Sequence, residues 1–239
     1  AQEAMEDAVM TMAVAGDVMF DDSYSIMNYY RSVGGEITKC FDETLLGYMK
    51  QADLFMVNNE CTFTNRGTPT EGKTYTFRSN PQNAKILKEM GVDLVSLANN
   101  HAYDYGEISI LDTMDTLTGS GIEYVGAGTT LDEAKTPFYY EMEGTKVAIV
   151  AATQIERMPN PDTKGATQNT PGVFRCFEPE LLCEVIKTAK ENSDFVIVYV
   201  HWGAENTTEV DWAQRDQAIL FEEAGADLIV GDHPHCLQG

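Results

Sequence analysis

Short apolar runs alternate along this chain with stretches whose apolar residues recur at helical spacing. Residues 10–20 (MTMAVAGDVMF) predict a strand running into a loop, and 53–60 (DLFMVNNE) a second strand after a helical stretch around 43–51. Residues 81–91 (PQNAKILKEMG) open with proline, keep apolar residues three to four apart and stop at a glycine, which predicts a helix. VDLVSLANNH (92–101) follows as a buried strand, 107–119 as a helix and IEYVGAG (122–128) as another strand. PFYYEMEGTKVAIVAAT (137–153) has two apolar runs around Glu-Gly-Thr and reads as a β-hairpin. Helices are expected at 178–191 and 211–224, with strands DFVIVYVHWG between them and ADLIVGDH at the end. Such alternation predicts a layered α/β fold. Residues 155–175 are rich in Pro, Thr, Asn and Gly, the composition of a loop or lid. No repeat or linker divides the chain, so a single domain over 11–239 is expected after a polar leader at 1–10. That leader reads like the remnant of a removed signal or anchor. Gly239 follows a strand and loop with no closing element, as in a chain cut short.

Charge narrows the partners. Thirty-eight acidic residues against sixteen basic ones give a net charge of −22. Such a surface repels nucleic acid and anionic lipid and favours cations, so an anionic substrate needs a local metal or a basic pocket. Five cysteines without a CxxC pair fit neither a disulfide scaffold nor a zinc ribbon. Cys176 and Cys183 are near enough in sequence to bridge, although free buried thiols are the expectation.

The polar residues fall at the strand ends. Five apolar runs finish on Asp17, on Asn58 and Glu60, on Asn100 and His101, on His201, and on His233 and His235. Ligands of open α/β sheets bind at the carboxyl ends of strands, so these groups should converge. Carboxylates, imidazoles and an amide oxygen without thiolate suit Zn, Mn, Fe or Mg. Each residue has a plainer reading: Asp17 as a turn cap, Glu60 as a solvated acid, Asn99–His101 as a left-handed turn, His201 as a packed histidine. Coincidence at five strand ends is harder to account for than a site. Proline between His233 and His235 also fixes the backbone joining two imidazoles.

The segments GDVM, NNECTF, SLANNHAYDYG, HWGAE and GADLIVGDHPHCLQG, with TPTEGKTYTFRSNP between them, resemble the bacterial capsule-synthesis CapA family of poly-γ-glutamate biosynthesis proteins. That family is similar in turn to the calcineurin-like metallophosphoesterases. The resemblance implies a four-layer α-β-β-α sandwich with one or two divalent metal ions at its edge. It implies Asp17, Glu60, Asn100, His201, His233 and His235 as metal ligands, with Glu60 bridging, and His101 as proton donor to the leaving group. Two departures stand out. The phosphoesterase pattern has a histidine two residues after the first aspartate, where this chain has Met19, and a thioether is a poor ligand for a hard ion. Glu60 is one methylene longer than the usual aspartate.

Asp104, three residues after His101, is placed to orient that ring, although His-x-x-Asp also suits a helix start. Arg78 is a candidate for holding a carboxylate or phosphate, and it would equally serve as a paired surface arginine. Trp202 and Tyr105 are candidates to line the pocket, though packing alone would explain both. The resemblance implies an extracytoplasmic, membrane-anchored, metal-dependent hydrolase-like protein acting on poly-γ-glutamate or a phosphoester. The alternative is a non-catalytic, polymer-binding accessory subunit of a membrane synthase. Met19 favours binding, and the intact Asn-Asn-His favours catalysis.

Overall fold

The computed structural model describes residues 9–155 and 163–239. Most of the expected leader, and residues 156–162 of the expected lid, lie outside the described residues.

Two four-stranded sheets organise the chain. The first holds β1 (Met12–Val18), β2 (Leu54–Asn59), β5 (Leu94–Ser96) and β6 (Glu123–Val125) in that order, all parallel. Its crossovers carry α1 (Ser25–Ser32), α2 (Glu43–Gln51), the short pair β3 (Thr62–Phe63) and β4 (Arg78–Ser79), α3 (Ala84–Met90) and α4 (Glu107–Gly119). The chain then passes through β7 (Ala127–Gly128) and α5 (Leu131–Ala134) into the hairpin of β8 (Phe138–Met142) and β9 (Thr145–Thr153). β10 (Gly172–Val173) pairs with β7, followed by α6 (Glu180–Glu191), β11 (Phe195–His201), α7 (Trp212–Ala224) and β12 (Leu228–Asp232). The second sheet runs β12-β11-β9-β8, parallel except for the hairpin.

Alternation within the strands explains the layering. In β2, Phe55 and Val57 face a core shared with Ile86, Leu87, Ile110 and Leu117 of the helices. Leu54 and Met56 face the opposite way, onto Ile149, Ile197 and Tyr199 of the second sheet. In β11, Val196, Val198 and Val200 pack against Leu182, Ile186 and Phe221 of α6 and α7. Strands buried on both faces need continuous apolar runs, which is how they read in the sequence.

The expected helices at 43–51 and 107–119 match α2 and α4, and the hairpin is present. Two expected strands are shorter. The strand expected over 92–101 is β5 alone, because the chain turns after Ser96 to present Asn99 and His101. IEYVGAG is divided at Gly126, whose φ of 83° breaks the extended run so that β6 and β7 join different sheets.

The parallel strands of both sheets end at a common edge. Asp17 pairs in register with Asn58 at the irregular end of β1, and His201 sits opposite Asp232 and Thr153. Gly126 secures the packing between the sheets behind this edge. A β-carbon there would stand 2.6 Å from the Ala98 β-carbon and 3.0 Å from that of Ala151. Gly126→Val is therefore expected to cost about 2–4 kcal/mol, from overpacking plus left-handed strain, read as a lower urea midpoint with the slope unchanged.

Candidate metal centre

β1, β2, β11 and β12 bring Asp17, Glu60, His201 and the His233–His235 segment together. Asp17 Oδ1 accepts from Asn58 Nδ2 (2.8 Å), and its Oδ2 pairs with His235 Nδ1 (3.1 Å). Glu60 follows the last residue of β2 and is buried, with Oε1 3.6 Å from His201 Nε2. That nitrogen also lies 2.8 Å from Asn100 Oδ1 and 3.1 Å from His233 Nδ1. His201 Nδ1 sits 3.0 Å from Asp232 Oδ1. His233 and His235 hold positive φ angles of 91° and 56° on either side of Pro234. Such backbone is strained for residues with a β-carbon and persists where surrounding structure enforces it.

Among the described residues three donor groups lie within 4.8 Å: Glu60–His201–His233, Asp17–Glu60–His235, and Asp17–His201–Asp232. Asp17, Glu60 and His201 each belong to two of them, so the three groups overlap. Asn100 adds its oxygen to the first group through His201. Oxygen and imidazole donors of this kind suit a hard or borderline divalent ion.

Charge at the site is out of balance in the metal-free protein. Burial works to raise the Asp17 pKa, but the His235 hydrogen bond, the His201 field and the Asn58 amide overcome it and hold the carboxylate below its usual range. Burial first, and then the Asp17 charge, push both Glu60 and Asp232 well above theirs. Burial lowers His201 to about 4 and His233 to about 3, whereas the Asp17 hydrogen bond lifts His235 to about 9. Three carboxylates thus share one cationic imidazole, and a bound cation would let the other two ionise.

Next to this cluster His101 Nδ1 lies 2.8 Å from Asp104 Oδ2, leaving Nε2 as the nitrogen free for a reacting group. Burial is the main cause that lowers the His101 pKa, with Asp104 opposing it. Asp104 is itself fully engaged: the Phe77 amide donates to Oδ2 (2.6 Å) and the buried Lys73 ammonium to Oδ1. Lys73 also donates to the Asn100 carbonyl, so one cation clamps both ends of the Asn100–Asp104 turn. Asn99 completes the support by donating to Asn58 Oδ1 and accepting from the His101 amide.

Of the other candidates, Trp202 borders this cluster and Arg78 packs on a loop. Trp202 is buried, stacks on Phe221 with ring centroids 6.1 Å apart, and lines a cleft of about 910 Å³ together with Asp17, His233 and His235. The Arg78 guanidinium donates to the Arg66 and Gly67 carbonyls (2.9 and 3.1 Å) and lies 3.6 Å over the Tyr105 ring. The described contacts of the Arg78 guanidinium are thus with this loop and the Tyr105 ring. The Met19 sulfur accepts from the Asp21 amide (3.0 Å), and all five cysteines are free. Asp232 and Lys73 escaped the sequence reading. Their only signals were their places inside GADLIVGDHPHCLQG and TPTEGKTYTFRSNP.

A model of the bacterial capsule synthesis protein family, PGA_cap, matches residues 11–239, and the chain belongs to that family. It is 30% identical over 243 residues to the capsule biosynthesis protein CapA of Bacillus anthracis, covering 98% of this chain and 56% of that protein. It is 36% identical over 165 residues to the PGA biosynthesis protein CapA of Bacillus subtilis (strain 168), covering 68% of this chain and 42% of that one. The chain therefore spans about half the length of these two curated relatives. Among solved structures, a Staphylococcus aureus protein assigned as a 5′-nucleotidase is similar in fold, with a TM-score of 0.52 and 16% identity over 93% of this chain and 44% of that one.

The His235 shift predicts a pH dependence for the metal-free protein. Its folded pKa, about 9, exceeds the ordinary 6.5, so the stability it contributes is full below pH 6.5 and is lost as pH rises through 9. The urea midpoint of the chelated wild type should fall across that window, and His235→Asn should flatten the fall. Equal slopes in the two proteins would contradict the Asp17–His235 pairing.

Proposed function

We propose that this chain is the hydrolase-like, metal-dependent unit of an extracytoplasmic capsule or poly-γ-glutamate biosynthesis protein, anchored at the membrane. The single observation that carries the reading is the set of three overlapping donor groups, linked by Asp17, Glu60 and His201, beside the His101–Asp104 pair. The helix-flanked pair of sheets supports a four-layer α-β-β-α arrangement like that of the metallophosphoesterases, and the family description supports the capsule role. The extracytoplasmic, anchored placement rests on that role, since capsule is assembled outside the cell. Among the described residues no helix is long and apolar enough to cross a membrane.

A divalent cation held by Asp17, Glu60, Asn100, His201, His233 and His235 would acidify bound water and offset the charge of an anionic substrate. Glu60 holds the two donor groups in register. Asp104, fixed by Lys73 and the Phe77 amide, keeps the proton of neutral His101 on Nδ1. Protonated on Nε2 as well, with Asp104 stabilising the imidazolium, the ring would give its Nε2 proton to the leaving group and return to the neutral Nδ1–H form. The substrate class is an anionic polymer or small molecule carrying a γ-glutamyl amide or a phosphoester. Arg78 and Trp202 are the residues outside the ligand set proposed to meet it, with Trp202 on the cleft wall the better placed.

The second reading, a polymer-binding accessory subunit of a membrane synthase, is favoured by one observation. The Met19 sulfur is turned to the Asp21 amide, so residue 19 brings no donor to Asp17. Hydrolysis of γ-glutamyl amides and phosphoesters by manganese- and zinc-loaded protein separates the two. On the hydrolase reading, His101→Asn lowers turnover by about 10²- to 10⁴-fold with metal content unchanged, and Glu60→Ala loses metal and turnover together. Metal-loaded wild type that binds poly-γ-glutamate and cleaves neither bond would establish the accessory role instead.

A further inference from the structure

We infer that Asp232 supplies a carboxylate ligand to the Asp17 side of the metal centre, the donor that residue 19 does not provide. The inference rests on the proposed metal site and adds a member to the six ligands named above. Residue 19 is ruled out by its own contacts. The Met19 sulfur accepts from the Asp21 amide (3.0 Å), and the side chain packs against the helix-side core of the first sheet. The Asp17 side then has Asp17, Glu60 and His235, three donors where a hard divalent ion takes four to six.

Asp232 is the group within reach. It ends β12, directly across from His201, and only 5% of its surface is exposed. Its two oxygens are used differently. Oδ1 lies 3.0 Å from His201 Nδ1 and fixes that ring. Oδ2 is buried and accepts no hydrogen bond, and the nearby Tyr199 hydroxyl donates to the Ala15 carbonyl (3.1 Å). A buried carboxylate oxygen left without a donor is costly, and a second carboxylate beside it raises the cost. Donor atoms of Asp17, Asp232 and His201 nevertheless lie within 4.8 Å of one another. β1 runs close to β12 here, a β-carbon built on Gly16 standing 3.9 Å from the Asp232 β-carbon. A cation shared by Asp17 and Asp232 satisfies the orphaned oxygen and lets both carboxylates ionise side by side. With Glu60 and His235 it gives four protein donors.

Asp232→Asn isolates this role. The amide keeps an oxygen to accept from His201 Nδ1 and removes only the charge of the second oxygen. Elemental analysis of manganese-loaded protein, with thermal unfolding as a check on folding, should find about two ions per chain in wild type. Asp232→Asn, His235→Ala and the double variant should each hold about one, because both changes empty the same position. Retention of about two ions by Asp232→Asn would overturn the inference while leaving the metal-site reading intact. So would loss of both ions in the double variant, which would place Asp232 with the His201 ion. A wild type that binds no metal would overturn the proposed function itself. If Asp232→Asn does not purify folded, Asp232→Ser, which removes both oxygens, carries the same comparison with His235→Ala.

Discussion

The constraint on which this structure depends is a crowd of buried carboxylates at the edge where two parallel-stranded sheets finish together. Asp17, Glu60 and Asp232 come from three different strands, and a single imidazole, His235, answers them with positive charge. A fold that keeps acids so near one another out of water carries an electrostatic cost that a cation relieves. The strained backbone at His233 and His235, the apolar strands behind them and the close packing at Gly126 all hold this crowd in place.

The same constraint bears on how a strongly acidic chain would meet the anionic substrate proposed for it. Few basic residues approach the site: Lys73 is consumed by Asp104 and Asn100, and Arg78 holds two loop carbonyls. His235 and, on the cleft wall, Arg215 supply positive charge at this edge, and the proposed ions would add to it on a chain of net charge −22. Lys73 shows how scarce buried cations are used here. It stiffens the turn that presents Asn100 and His101 rather than meeting a ligand.

Much of this was legible in the sequence, because the fold's signals are local. Runs buried on both faces announced β2, β9 and β11, and capping chemistry announced the helix ends, such as Gly91 with φ of 91° after α3. α1 passed unseen, since its inward face is only Met27 and Tyr30 in a short run of Ser, Asn and Tyr. The two-residue strands β3, β4, β7 and β10 owe their pairing to tertiary context rather than propensity. For the site, strand-end position was enough to bring Asp17, Glu60, Asn100, His201, His233 and His235 together. Asp232 and Lys73 were invisible for a physical reason: their roles exist only through partners far away in the chain, and neither residue type at its position carries a distinctive spacing.

The most direct measurement is anomalous scattering from crystals of the protein grown with manganese. The account predicts two anomalous peaks on either side of Glu60. One would be bounded by His201, His233 and Asn100, the other by Asp17 and His235. Peaks remote from Glu60, or no peak within this cluster at saturating manganese, would contradict the claim that these carboxylates are gathered to share metal ions.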